Sequence, residues 1–243
     1  LLESAIAIDS LYGPAWGSLG FVLFRWDRDF AGSLEAYDRA MALGVDSGWG
    51  RGLLYATLGR WDDAVRSYRG AVDENPLSRT IQDQFGFILF CSGRYEEAAE
   101  QMEMVGEMLG GATSATLAMS YIKAGRTEDA LAQAVRLAER GEGSAWGAYV
   151  FAALDSTATA RRYLREALEL EPDRGVVHAI AATLAVLDGR EAALAYIEET
   201  GAAFPESLDY VDCAEELREL RGDRRYIALM EQVGFPGRGA VGR

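Results

Sequence analysis

The sequence predicts an all-α protein, an α-solenoid of about six helical hairpins closed at its C-terminal end by a capping helix pair. Three observations carry that prediction. A turn followed by an aromatic and an alanine recurs, Gly59-Arg60-Trp61-Asp62-Asp63-Ala64 and Gly93-Arg94-Tyr95-Glu96-Glu97-Ala98, and again without the aromatic in Gly125-Arg126-Thr127-Glu128-Asp129-Ala130. With the weaker copies ending at Ala160 and Ala193, and Ser33 as the first, this anchor returns every 30 to 34 residues, the signature of a repeat architecture. Columns of small and bulky residues keep step with it. No long alternation of apolar and polar residues appears, and only 5 prolines interrupt the 243-residue chain, so strands find little support.

Each repeat reads as two helices. Seven residues before the turn stand Gly52, Gly86, Ala118, Ala148 and Ala182, with Gly20 as the first counterpart after one inserted residue. A small residue there lets a second helix approach closely, and the anchor on that second helix supplies the matching lack of bulk. Four residues after the anchor come Tyr37, Tyr68, Met102, Ala134, Leu164 and Ile197, and three further on Ala40, Ala71, Val105, Leu137, Ala167 and Thr200. Turn glycines end the first helix in a left-handed cap, and Pro76, Pro172 and Pro205 stop the second.

First helices are thus expected at Gly13–Trp26, Asp46–Leu58, Leu77–Ser92, Ala112–Ala124, Gly143–Leu154 and Arg174–Asp188. Second helices are expected at Phe30–Leu43, Trp61–Glu74, Tyr95–Leu109, Thr127–Arg140, Thr157–Leu170 and Glu191–Ala203. Helices over Glu206–Arg221 and Arg224–Val233 would form the cap, with Glu206, Asp209, Asp212, Glu215, Glu216 and Glu219 as its polar exterior. This makes 1–236 one domain: 1–9 the end of an earlier repeat, 10–205 six repeats, 206–236 the cap, and 237–243 a flexible Gly-rich tail.

These residues resemble the tetratricopeptide repeat family. Trp16-Gly17-Ser18-Leu19-Gly20 matches the first part of its signature, and Ala64, Tyr68, Ala71 and Pro76 match the rest. The resemblance implies a right-handed superhelix whose first helices line a concave groove for peptides or helices. In that register the groove residues are Trp49, Asp83, Gln84, Phe87, Phe90, Thr116, Met119, Lys123, Trp146 and Tyr149. Aromatic anchors beside a few polar groups are the composition of binding hot spots, and the same residues would otherwise pack between neighbouring first helices. Lys123 is almost the lone cation of the set, which disfavours a clamp for a terminal carboxylate. The stretch Phe24–Phe30 and the closing 223–236 segment are similar to repeat regions that follow an effector domain in bacterial adenylate-cyclase-like and winged-helix transcriptional-regulator proteins.

Composition sets further limits. With 24 basic against 38 acidic residues the formal net charge is −14, a repulsive field for nucleic acid. Val176–Leu187 is too short for a membrane span. Cys91 and Cys213 belong to no CxxC or Cys/His cluster and are expected as buried, reduced thiols in a cytoplasmic protein. The N-terminus begins within an amphipathic pattern and reads as a fragment of a longer chain.

His178, the sole histidine, falls where a repeat residue packs, so acid–base and nucleophilic catalysis find no second partner. The string from Gly237 to Gly242 satisfies G-x-G-x-x-G without the strand and helix that give it meaning. Neither metal nor cofactor is expected. The leading reading is a noncatalytic scaffold that holds a protein or peptide within a bacterial signalling or transcription-regulatory protein. The alternatives are a small-molecule sensor controlling an attached effector domain and self-association through the first hairpin.

Overall fold

The computed structural model describes residues 2–45, 47–108, 110, 114–139, 144–169, 174–211 and 213–235, and among these every regular element is helical. The expected 237–243 tail lies outside them. Helix α1 (Leu2–Ile8) is followed by six hairpins: α2 (Gly13–Val22) with α3 (Phe30–Ala42), α4 (Gly48–Thr57) with α5 (Trp61–Glu74), α6 (Arg79–Cys91) with α7 (Tyr95–Met108), α8 (Ala115–Lys123) with α9 (Thr127–Glu139), α10 (Ser144–Ala153) with α11 (Thr157–Leu168), and α12 (Arg174–Asp188) with α13 (Arg190–Ala203). The chain forms two compact units, Leu1–Ile88 and Leu89–Arg243, with the boundary inside α6.

The repeat columns make the hairpin cores. Every anchor, Ser33, Ala64, Ala98, Ala130, Ala160 and Ala193, is fully buried. Where the other repeats have alanine, Ser33 spends its hydroxyl on the backbone of the partner helix, donating to the Gly20 carbonyl at 2.7 Å. The turn between paired helices carries a left-handed residue in all six hairpins: Arg28, Gly59, Gly93, Gly125, Asp155 and Gly189. Asp155 and Arg28 adopt it at φ 57° and 53°, so four hairpins use glycine and two accept the strain of a side chain.

In unit 1 the residue inserted after Gly20 is absorbed by a π-turn at Leu23–Asp27 that ends α2. The first helix therefore stops being α-helical at Val22 rather than running to Trp26. Tyr37, from α3, lies between glycines of the two first helices. A Cβ on Gly20 would meet its ring at 3.0 Å, and one on Gly50 would meet its hydroxyl at 2.8 Å. Gly52 does the same for Tyr68, 2.6 Å from the ring edge, and Tyr68 stacks on Phe85 and donates to Gln84 at 2.9 Å.

Unit 2 overturns three expectations. Cys91 and Cys213 form a disulfide, not a pair of reduced thiols; 122 positions apart in sequence, they meet because the C-terminal segment folds back onto α6. Nor is 206–221 an α-helix. A short 3₁₀ turn (Pro205–Leu208) and a 3₁₀ helix (Glu215–Gly222) stand there, and only then does α14 (Arg224–Gln232) begin. The reason is a period of three. Leu208, Val211, Ala214, Leu217 and Leu220 are all buried, and residues three apart lie on one edge of a 3₁₀ helix. Asp209, expected on the polar exterior, is buried as well. Arg225 clasps α14 to α13 through Glu191 and Glu198, and Arg190 bonds Asp223 at 2.6 Å.

Candidate functional site

The groove residues expected from the repeat register fall in both units and are described unit by unit. In unit 2, the disulfide fixes the returning segment against the end of α6, where Arg218 also donates to the Cys91 carbonyl at 3.4 Å. Lys123, at the end of α8, binds Glu216 at 2.7 Å and Glu215 at 3.2 Å. Tyr149, on α10, donates its hydroxyl to Glu216 at 2.8 Å, and the same 3₁₀ helix packs on α12. The C-terminal 3₁₀ segments are thus a strap that reaches α8, α10, α12 and Cys91 at the end of α6.

This arrangement withdraws several expected contact residues. Phe90, Met119 and Tyr149 are at most 2% exposed: Phe90 packs on the Tyr95 ring at 5.6 Å, Met119 lies in the core, and Tyr149 is closed by the strap. Trp146 is half-buried with its ring 4.3 Å from buried His178, which is a packed repeat residue as expected. Thr116 is half-buried and its carbonyl accepts from Ser120 at 2.7 Å. Lys123 is held by the strap. Burial works to lower its pKa, but the bonds and charges of Glu216 and Glu215 prevail and the net shift is upward. Burial, with Glu216 beside it, raises the Tyr149 phenol.

In unit 1, Gln84 is engaged by Tyr68, Phe87 is half-buried and Asp83 is exposed. Trp49 is different. It is 37% exposed and lines a cavity of about 510 Å³ between α2 and α4. Phe21 stands between two tryptophans there, 5.7 Å from Trp26 and 6.1 Å from Trp49, and Pro14, Gly17 and Val45 complete the apolar wall. Among the described residues, the Tyr37 phenol is the one ionisable side chain that lines it, and Ser18 and Ser47 add hydroxyls. Tyr37 is 2% exposed, and its hydroxyl has no hydrogen-bond partner. Burial pushes its pKa strongly up, against a weaker lowering pull from Arg25, so the phenol stays neutral and able to donate.

Sequence reasoning found Trp49 but missed Phe21, Trp26 and Tyr37. The signal was the inserted residue after Gly20, because the π-turn that absorbs it brings Trp26 to the cavity rim. A second cavity of about 340 Å³ in unit 1 is lined by Arg51, Tyr55, Asp63, Arg66 and Glu74, with Arg51 paired to Asp38 and Arg66 to Asp63. Among the described residues no three His, Cys, Asp or Glu side chains converge as metal ligands, and no helix is long and apolar enough to cross a membrane.

No family model and no curated protein matches the chain. Among solved structures it is similar to a tetratricopeptide repeat protein from Parabacteroides merdae, with a TM-score of 0.67 at 15% identity over 87% of this chain and 89% of that one. The fold is that of tetratricopeptide repeats. The hairpins, buried anchors and left-handed turns described above are its physical content.

Proposed function

We propose that the chain is a noncatalytic interaction module that receives a protein partner on the first-helix face of unit 1. The observation that carries this reading is the aromatic cavity between α2 and α4. Trp26 is 69% exposed and Trp49 is 37% exposed there, while the matching face of unit 2 is taken by the chain's own strap. Large aromatic rings left open around a concavity are the anchors from which interfaces draw most of their energy. The likeness of the chain's ends to repeat regions behind an effector domain supports a place in a bacterial signalling or transcription-regulatory protein. The Cys91–Cys213 disulfide supports an oxidising compartment in preference to the cytoplasm expected from sequence.

Selection of a random peptide library on the immobilised chain, run beside the Trp26→Ala/Trp49→Ala variant, tests the reading. Sequences enriched on the native chain and lost on the variant are expected. Equal enrichment on both, or none on either, would remove unit 1 as the binding face.

A further inference from the structure

The strap of unit 2 is held differently at its ends and in its middle. At one end the 3₁₀ turn Pro205–Leu208 packs on α12 and α13; at the other α14 packs on α13, where Arg225 clasps Glu191 and Glu198. Between these anchors the chain reaches α6 through Cys213, α8 through Glu215 and Glu216, and α10 through Glu216 again. Arg218 adds a long bond of 3.4 Å to the Cys91 carbonyl.

Of these reaches the disulfide alone is covalent. The rest converge on one carboxylate, since Glu216 takes Lys123 at 2.7 Å and Tyr149 at 2.8 Å, while Glu215 is too exposed to add much. A 3₁₀ helix has poorer hydrogen-bond geometry than an α-helix and lends the segment little stiffness of its own. Contacts so few and partly solvated open locally without unfolding a domain. The hairpins beneath keep their own cores, with Ala98, Ala130, Ala160 and Ala193 fully buried.

We propose that Cys91–Cys213 is a redox latch on this strap. Oxidised, it holds the strap closed over Lys123 and Tyr149; reduced by a dithiol, it lets the middle lift from α6, α8 and α10 while the ends stay on α12 and α13. Both half-cystines are at most 2% exposed, so the reductant enters during local openings. Its first thiolate attacks one sulfur and breaks the S–S bond, forming a mixed disulfide; its second displaces the protein thiol and closes the reductant's own disulfide. Two electrons and two protons end on Cys91 and Cys213. The latch acts within unit 2 and does not depend on what unit 1 receives.

The chain carries its own reporter. Lys123 is its single lysine, and the closed strap both covers the amine, leaving 15% of the side chain exposed, and keeps it protonated through Glu216 and Glu215. Lifting the strap should make that amine accessible and more often neutral, hence quicker to acylate.

The test treats the full chain with dithiothreitol in mildly alkaline buffer without denaturant, removes the reductant under argon, counts thiols and then acylates with N-hydroxysuccinimidyl acetate. Both thiols should be freed with the helical circular dichroism signal kept. Lys123 should react about tenfold faster than in the oxidised chain, as read by peptide mass spectrometry. Trypsin should cut after Arg218 and Arg221 in the reduced chain and spare them in the oxidised one. Re-forming the disulfide with diamide should restore the slow rate. The Cys91→Ala/Cys213→Ala variant should match the reduced chain with or without dithiothreitol; should it not fold, the reduced native chain still decides.

A disulfide that resists dithiothreitol in the native chain would overturn the latch. So would equal acylation and equal tryptic resistance of the two redox forms, which would leave the strap docked without its bond. Loss of helix on reduction would overturn it as well, making the disulfide a staple of the whole unit.

Discussion

Two side chains show opposite ways of burying a polar group. Tyr37 places a hydroxyl in the interior with no partner in the chain, so removing it should cost the fold nothing. Tyr37→Phe is expected to leave the thermal midpoint unchanged or raise it, by up to about 1 kcal/mol in unfolding free energy, as read by calorimetry. Lys123 is fully engaged by Glu216 and Glu215. Since Glu215 is the more exposed of the two, most of the value lies in the shorter Glu216 bond. Lys123→Met should destabilise unit 2 by about 2 kcal/mol. The sign with pH follows from the raised pKa. The stabilisation is full below the ordinary lysine value of 10.5 and is lost as pH rises through the higher folded value. Native protein should therefore lose stability in strongly alkaline solution, and Lys123→Met should lose less over the same range.

At the scale of the element, the hairpins obey a steric rule that glycine substitutions can check. A Cβ at Gly52 would stand 2.6 Å from the buried Tyr68 ring, whereas one at Gly70, on the exposed side of α5, would meet nothing within 4 Å. Gly70→Ala should stabilise by about 0.5–1 kcal/mol through helix propensity. Gly52→Ala gains the same propensity, but overpacking of about 1–3 kcal/mol should outweigh it, so thermal melts of the two variants should move in opposite directions.

The hairpins were legible in the sequence because close packing leaves its mark on composition: only a small residue fits where two helices nearly touch. Ala64, Ala98 and Ala130 announced their burial in this way. The strap was not legible as a strap. Its spacing of three, from Leu208 to Leu220, stood in the sequence but reads equally as a loose helical pattern until something holds it in the narrower 3₁₀ form. That hold comes from Cys91, Lys123 and Tyr149, residues far away along the chain. The groove assignments failed where it lies, since Lys123 and Tyr149 do face inward but meet their own C-terminal segment. The unit 1 cavity was half legible, through Trp49. The rest depends on a π-turn whose one-residue insertion shifts Trp26 in a way no repeat alignment conveys.

For the whole molecule, the disulfide is the longest-range covalent link, closing a loop across 122 positions of sequence within unit 2. Restricting so long a loop in the unfolded chain stabilises by about 2–5 kcal/mol. The Cys91→Ala/Cys213→Ala variant should lower the denaturation midpoint accordingly, and thiol titration of native protein denatured without reductant should find no free sulfhydryl. The high negative charge acts everywhere at once, so moderate salt should raise the melting temperature by screening self-repulsion.

The strap also governs how this protein can be dissected. A fragment trimmed after α13, the natural end of the last hairpin, would lose Leu208, Val211, Leu217 and Leu220 together with Cys213. It would carry a bare greasy trough and an orphaned sulfur at Cys91, inviting clumping and cross-linked dimers. Expression boundaries for the second half should therefore run past Phe235, itself buried, so that the fold keeps its own lid.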